Sequence, residues 1–223
     1  MGIILQLYRS SVGKKLTAGL TGLFLCVYLV VHVIGNLLLF KCDKGAAFNA
    51  YADFLPSLLF IRIIEWVLFA IFLLHGITGT YLWFLNKRSR PEKYIETHPG
   101  ANSTLTSRTM FLTSSIVFIF LVVHMRSFWF PARFSSGEDI TMYDRVLAAF
   151  SDPVYSLFYV GAMVLLAFHL RHGFQSMFQT FGLRNQKYTG LIEGFGVIFW
   201  LLIPAAFASM PVYFFSQSCH WFH

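Results

Sequence analysis

Apolar residues fall into five long blocks separated by short polar segments. The blocks cover residues 17–40, 58–85, 110–130, 154–178 and 191–215. Each is close to the roughly 20 helical residues that cross a hydrocarbon layer about 30 Å thick. Lipid cannot satisfy bare backbone groups, and five blocks in one chain cannot close a β-barrel. The pattern therefore predicts an all-α integral membrane protein, a five-helix transmembrane bundle forming a single domain over residues 1–223.

The polar segments between the blocks set the expected boundaries. Segment 41–57 is expected to be a polar loop, and 135–151 an outer loop with some helix. The second block stops at the run from Asn86 to Pro91, and the third at Pro131. The first block is longer than the apolar core of a secretory signal and has no small-residue cleavage site after it, so we expect it to stay in the mature protein.

Composition supports a membrane location and excludes several other classes. Hydrophobic residues make up 57% of the chain and charged residues 12%, against about a quarter charged in soluble domains. Cys26, Cys42 and Cys219 are isolated, which argues against covalently attached haem, zinc or an iron–sulfur cluster held by this chain. The chain has a net charge of +7. Its basic residues lie beside the apolar blocks, so they indicate membrane orientation and not a nucleic-acid partner.

The distribution of basic residues predicts the orientation. If the amino terminus is cytoplasmic, the inner segments hold eleven basic residues against three acidic ones, and the outer segments hold six against seven. Because Lys and Arg accumulate on the cytoplasmic side of bacterial membrane proteins, we expect a cytoplasmic amino terminus. The inner basic residues are Arg9, Lys14, Lys15, Lys87, Arg88, Arg90, Lys93, Arg108, Arg171, Arg184 and Lys187.

Each of the first four blocks contains one of the histidines His32, His75, His124 and His169, and the fifth block contains none. Ionisable residues inside membranes are costly and usually functional. At 1.5 Å per residue, His32 and His124 lie about 24 Å from the inner ends of their blocks, and His75 and His169 about 15–17 Å from theirs. The four histidines therefore sort into an outer pair and an inner pair.

Two imidazoles at one depth can fill both axial positions of a haem iron, so the pairs predict two bound haems. Small residues beside the histidines would allow a bulky group or another helix to approach closely: Gly35, Gly76, Gly79 and Gly173. His172 lies one turn from His169, where it could bond a haem propionate or compete as a ligand. His98, His220 and His223 are expected in solvent.

Several stretches resemble one family. Residues 11–23, continuing to 32–37, resemble the opening helix of the five-helix, dihaem cytochrome b anchor of succinate:quinone and quinol:fumarate oxidoreductases. Segments 48–52, 75–79 and 169–176 are similar to the same family. The resemblance covers nearly the whole chain, and it is most specific in the first and fourth helices.

The resemblance implies a bacterial inner-membrane complex of the respiratory chain. A flavoprotein subunit and an iron–sulfur subunit would dock on the cytoplasmic face, and succinate chemistry would lie in the flavoprotein. Two haems b would be held by His32 with His124 and by His75 with His169, with His172 nearby. Electrons would meet a quinone, expected to be menaquinone.

The resemblance leaves the direction of the reaction open. Some fumarate-reducing members have an acidic residue two positions before the fourth-helix ligand, where this chain has Ala167, so we favour succinate dehydrogenase over a fumarate reductase anchor. Glu65 and Asp53 are candidate proton partners for quinone, although an interfacial charge is the simpler interpretation. A transporter using the histidines as a proton relay is a further alternative, but the polar lining and broken helix that it requires are not evident.

Overall fold

Helices form all of the regular structure. The computed structural model describes residues 10–89, 105–134 and 140–220, and within these ranges there is no β-strand. Five helices are long and apolar enough to cross a membrane, as the hydrophobic pattern predicts. The all-α character is thereby confirmed, and the single domain stays a prediction. The five spans, numbered in chain order, are Ser11–Phe40, Leu59–Arg88, Met110–Phe134, Pro153–Thr180 and Thr189–Gln217.

Local signals explain where the spans begin and end. The first span starts six residues earlier than predicted because the Ser10 hydroxyl accepts a hydrogen bond from the Gly13 backbone N–H, at 2.9 Å. The fourth starts at Pro153, after Asp152 accepts from the Tyr155 N–H at 2.9 Å. Such caps satisfy donors that the first helical turn leaves unpaired. The second span continues to Arg88, where basic side chains favour the helix carboxyl terminus.

Three short helices lie outside the spans in the part of the chain that the structure describes. Leu105–Arg108 precedes the third span, and the other two lie at what we call the outer end of the bundle. One covers Ala46–Ser57 and the other Met142–Ser151. The prediction of a loop over 41–57 is therefore wrong in part, because most of that segment is helical. The helix Met142–Ser151 agrees with the helix expected within 135–151. The Tyr143 backbone N–H donates to Asn49 Oδ1 at 2.9 Å and joins the two helices. A Cβ at Gly45, where φ is +82°, would lie 2.2 Å from Tyr143 Cγ, so this close approach requires glycine.

The fourth span is the centre of the bundle and packs against the first, third and fifth. Met163, Leu166 and Leu170 are buried there with Cys26 of the first span. A larger aromatic cluster fills the outer end. The second span is different, since Thr78 is its only buried residue among those described. Most of its apolar surface is left for lipid, as expected where the surrounding solvent is itself apolar.

Two spans contain a π-helical turn, in which the hydrogen bonds skip one more residue than in an α-helix. The turns cover Met125–Trp129 in the third span and Ile198–Leu202 in the fifth. Each ends two residues before a proline, Pro131 or Pro204. Proline lacks an N–H and clashes with the preceding helical turn, and the wider turn relieves this clash.

The turn in the third span directs two side chains to the second span. The Glu65 carboxylate accepts from Trp129 Nε1 at 2.7 Å and from Arg133 Nε at 3.0 Å, and it forms an ion pair with Arg133 Nη2. The Arg133 and Glu65 side chains are 18% and 25% exposed. This clamp joins the second and third spans near the outer end.

We expect Glu65→Gln to lower the free energy of unfolding by about 2 kcal/mol, because hydrogen bonds to charged groups are lost and the Arg133 charge keeps no carboxylate partner. Thermal or denaturant unfolding of the purified protein in detergent would measure the change.

Glu193→Gln is the matched control. Its partner Arg184 lies 3.9 Å away, and the Arg184 and Glu193 side chains are 39% and 55% exposed. Exposed ion pairs contribute less than about 1 kcal/mol. Equal changes in the two variants would contradict a stabilising role for the clamp.

Candidate functional site

The four membrane histidines come together as two pairs. His32 and His124 have ring centroids 5.9 Å apart with ring planes at 87°. His75 and His169 have centroids 6.3 Å apart with planes at 78°. The outer and inner pairs are those that the depth argument predicts. His98 and His223, expected in solvent, lie outside the described residues.

In the inner pair, a neighbouring span holds each ring through its Nδ1 atom. His75 Nδ1 lies 3.1 Å from Thr21 Oγ1 and 3.2 Å from the Ala18 carbonyl oxygen, both in the first span. His169 Nδ1 lies 3.2 Å from Ser114 Oγ in the third span. Thr21 and Ser114 carry aliphatic hydroxyls, which can accept a hydrogen bond from a ring N–H group and donate their own hydrogen bond elsewhere.

In the outer pair, the corresponding partners are phenols. His124 Nδ1 lies 3.1 Å from the Tyr159 hydroxyl in the fourth span. His32 Nδ1 lies 3.4 Å from the hydroxyl of Tyr28, one turn earlier in the same helix, and the two rings stack with centroids 5.3 Å apart. All four histidines thus share one arrangement, with Nδ1 occupied by a hydroxyl group.

This arrangement fits a metal held between the rings. When Nδ1 is bonded, Nε2 is the ring atom available to a metal, and the partner fixes both tautomer and orientation. With metal–nitrogen bonds of about 2 Å, two imidazoles on opposite sides of one metal have centroids about 6 Å apart. The described residues contain no group of three or more His, Cys, Asp or Glu side chains suited to a metal. A macrocycle that supplies its own four nitrogens needs only such a pair.

Aromatic side chains of the second and third spans contact each other at three places along the bundle. Trp66 contacts Trp129 at 6.5 Å between centroids near the outer end. Two stacked pairs follow toward the inner end, Phe72 with Phe118 at 6.1 Å and Trp83 with Phe111 at 4.0 Å. Large rings therefore bridge these spans.

The glycines near the histidines have different surroundings. The Tyr51 ring occupies the space beside Gly35, since a Cβ at Gly35 would lie 2.5 Å from Tyr51 Cε1. At Gly76, Gly79 and Gly173 a Cβ would meet no described atom within 4 Å. Gly22, which the sequence did not single out, lies against the inner pair, because its Cβ would be 3.1 Å from His75 Cε1.

The remaining candidates lie away from the pairs or are occupied by other contacts. His172 is half-buried one turn beyond His169, and the ring contact with His75 is made by His169. Glu65 is bonded to Arg133 and Trp129, which disfavours it as a freely exchanging proton partner. Asp53 is exposed on the outer Ala46–Ser57 helix.

Comparisons with protein-family models, with curated proteins and with solved structures find no match to this chain.

We expect Gly22→Ala to displace the His75 ring from Thr21 and Ala18. Overpacking of this kind costs about 1–2 kcal/mol. Gly161→Ala in the fourth span is the matched control because a Cβ at Gly161 would meet no described atom within 4 Å, and both changes gain the same helix propensity. The free energies of unfolding of the two variants should differ by about 1–2 kcal/mol, with Gly22→Ala the less stable. Equal stability of the two variants would refute the contact between Gly22 and His75.

Proposed function

We propose that this chain is the cytochrome b membrane anchor of a succinate:quinone oxidoreductase and carries electrons between an iron–sulfur subunit and membrane quinone through two haems b. The observation that carries the proposal is the geometry of the two imidazole pairs, with centroids 5.9 and 6.3 Å apart and a hydroxyl partner at every Nδ1. Four rings in four spans with one shared arrangement fit a bound group better than packing alone.

His32 with His124 would hold the outer haem, and His75 with His169 the inner one. A haem between two imidazoles exchanges one electron between ferric and ferrous iron and has no open position for oxygen. The protein would supply the ligands, fix their tautomers and exclude water. Phe120 and Phe207, which contact His124 and His32 with centroids 5.7 and 5.5 Å apart, contribute to a dry surrounding for the outer pair.

His172 would bond a propionate of the inner haem. It lies on nearly the same helical face as His169, one turn nearer the inner end, where a polar group can hold a carboxylate in a low-dielectric setting. Arg171 does not share this role, since its guanidinium lies over the Trp200 ring of the fifth span at 5.2 Å. Of these two residues, His172 is therefore the one assigned to the propionate.

The partners follow from the resemblance and the charge distribution. The basic inner segments would face a flavoprotein and an iron–sulfur subunit on the cytoplasmic side of a bacterial inner membrane, with the amino terminus cytoplasmic. The quinone would be menaquinone. Succinate oxidation is favoured over fumarate reduction because Ala167 occupies the position of the acidic residue found in some fumarate-reducing members.

Purification of the chain from its native membrane tests the proposal. We expect two haems b per chain, a reduced-minus-oxidised spectrum typical of bis-imidazole ligation, and copurification of a flavin-containing and an iron–sulfur subunit. A preparation that transports a solute and contains no haem would refute the proposal in favour of the proton-relay alternative.

Replacing the histidines one at a time tests the pairing. His32→Ala and His124→Ala should remove one spectral component, and His75→Ala and His169→Ala the other, because each change removes an iron ligand. His172→Ala is the matched control for His169→Ala, and it should keep both haems with a shifted inner potential. Haem analysis decides the assignment: loss in His172→Ala with retention in His169→Ala would reverse it.

A further inference from the structure

Two tyrosines extend the contact at His124 toward the outer end of the bundle. The Tyr159 hydroxyl lies 3.1 Å from His124 Nδ1 and 3.0 Å from the Tyr155 hydroxyl. The two phenol rings are four residues apart on the fourth span, with centroids 4.7 Å apart and planes at 32°. Tyr155 belongs to the first turn of that span. A hydrogen-bonded chain therefore joins the outer end to the outer histidine pair.

The chain is held rigidly. Tyr159 is 5% exposed, and its ring contacts those of Phe120 and Phe150 at 4.9 and 5.0 Å between centroids. The Tyr155 ring packs against Phe150, with centroids 6.2 Å apart. Side chains confined in this way hold a hydrogen-bond geometry at little further entropic cost.

The inner pair lacks this extension. Thr21 donates its hydroxyl proton to the Thr17 carbonyl at 2.7 Å, and Ser114 donates to the Met110 carbonyl at 2.6 Å. Each of those hydroxyls is thus satisfied within one turn of its own helix. At the outer pair, the partner of His124 accepts a hydrogen bond from a second side chain, Tyr155.

We propose that Tyr159 and Tyr155 are positioning residues for His124. Tyr159 accepts a hydrogen bond from the Nδ1–H group of His124 and so keeps Nε2 directed at His32 as the metal-binding atom. A phenol oxygen has two acceptor sites, and the second one accepts from the Tyr155 hydroxyl, which holds the Tyr159 hydroxyl group in place beside His124. This inference rests on the proposed function, since it assigns Nε2 of His124 to haem iron.

The direction of the effect follows from the acceptor strength of Tyr159. A stronger acceptor at Nδ1 makes the imidazole a stronger electron donor, which favours ferric iron. Loss of the Tyr159 hydroxyl should therefore raise the reduction potential of the outer haem and weaken its retention. Loss of the Tyr155 hydroxyl should have a smaller and opposite effect, because Tyr155 donates to the Tyr159 oxygen and so makes that oxygen a weaker acceptor for His124.

Redox titration of the intact complex, followed by visible absorption, tests this assignment with Tyr159→Phe, Tyr155→Phe and the double variant. We expect Tyr159→Phe to raise the potential of the outer component, Tyr155→Phe to lower it by a smaller amount, and the inner component to stay unchanged. The double variant should match Tyr159→Phe, because Tyr155 acts through Tyr159. Transfer of haem to excess apoglobin should be about tenfold faster from the outer position of Tyr159→Phe.

Tyr213→Phe is the matched control. Tyr213 is a half-buried phenol of the same aromatic cluster, and its ring packs on Phe40 and Phe214. We expect no change in either haem. A purely structural role for Tyr155 and Tyr159 would instead give additive losses in the double variant.

The outcomes separate the inference from the function on which it rests. A wild-type complex without haem would overturn both. A complex with two haems whose potentials and haem transfer are unchanged in Tyr159→Phe would overturn the inference alone. Should Tyr159→Phe fail to assemble, Tyr155→Phe still decides, because an unchanged outer potential there would overturn the chain.

Discussion

Each imidazole in the apolar part of the bundle has two ring nitrogens that need partners, and lipid supplies none. A buried polar group without a hydrogen bond costs a few kcal/mol. Each histidine therefore requires a hydroxyl group within hydrogen-bonding distance of its Nδ1 atom. For three of the four, that hydroxyl lies on another span: Thr21 for His75, Ser114 for His169 and Tyr159 for His124. These bonds fix how the first four spans are rotated about their axes.

The sequence was sufficient for the features that follow from length along a helix. Block length gave the five spans, and the fixed rise per residue sorted the histidines into two levels. The partners of Nδ1 were not accessible in this way, because they depend on the rotation and spacing of different helices. Tyr28 is the exception. It lies four residues before His32, on the same helical face, so spacing alone could have found it.

Other features differ from the expectation because tertiary contacts decide them. The segment that forms the Ala46–Ser57 helix was expected to be a loop because it contains polar residues. A hydrogen bond from the Tyr143 backbone N–H to Asn49 holds this helix in place. Gly35 was expected to open space beside His32 and instead receives Tyr51. Arg171 adjoins His172 in the sequence, yet its guanidinium group lies over the Trp200 ring. In each case one side chain from a distant segment determines the outcome.

The π turn after His124 has a consequence for comparing this chain with others. Such a turn is equivalent to inserting one residue into an α-helix, and one residue rotates everything beyond it by about 100°. A homologous span without the insertion would be one residue shorter after its histidine. An ungapped alignment would then match Trp129 and Arg133 to residues on another helical face, and the counterpart of the contact with Glu65 would be overlooked.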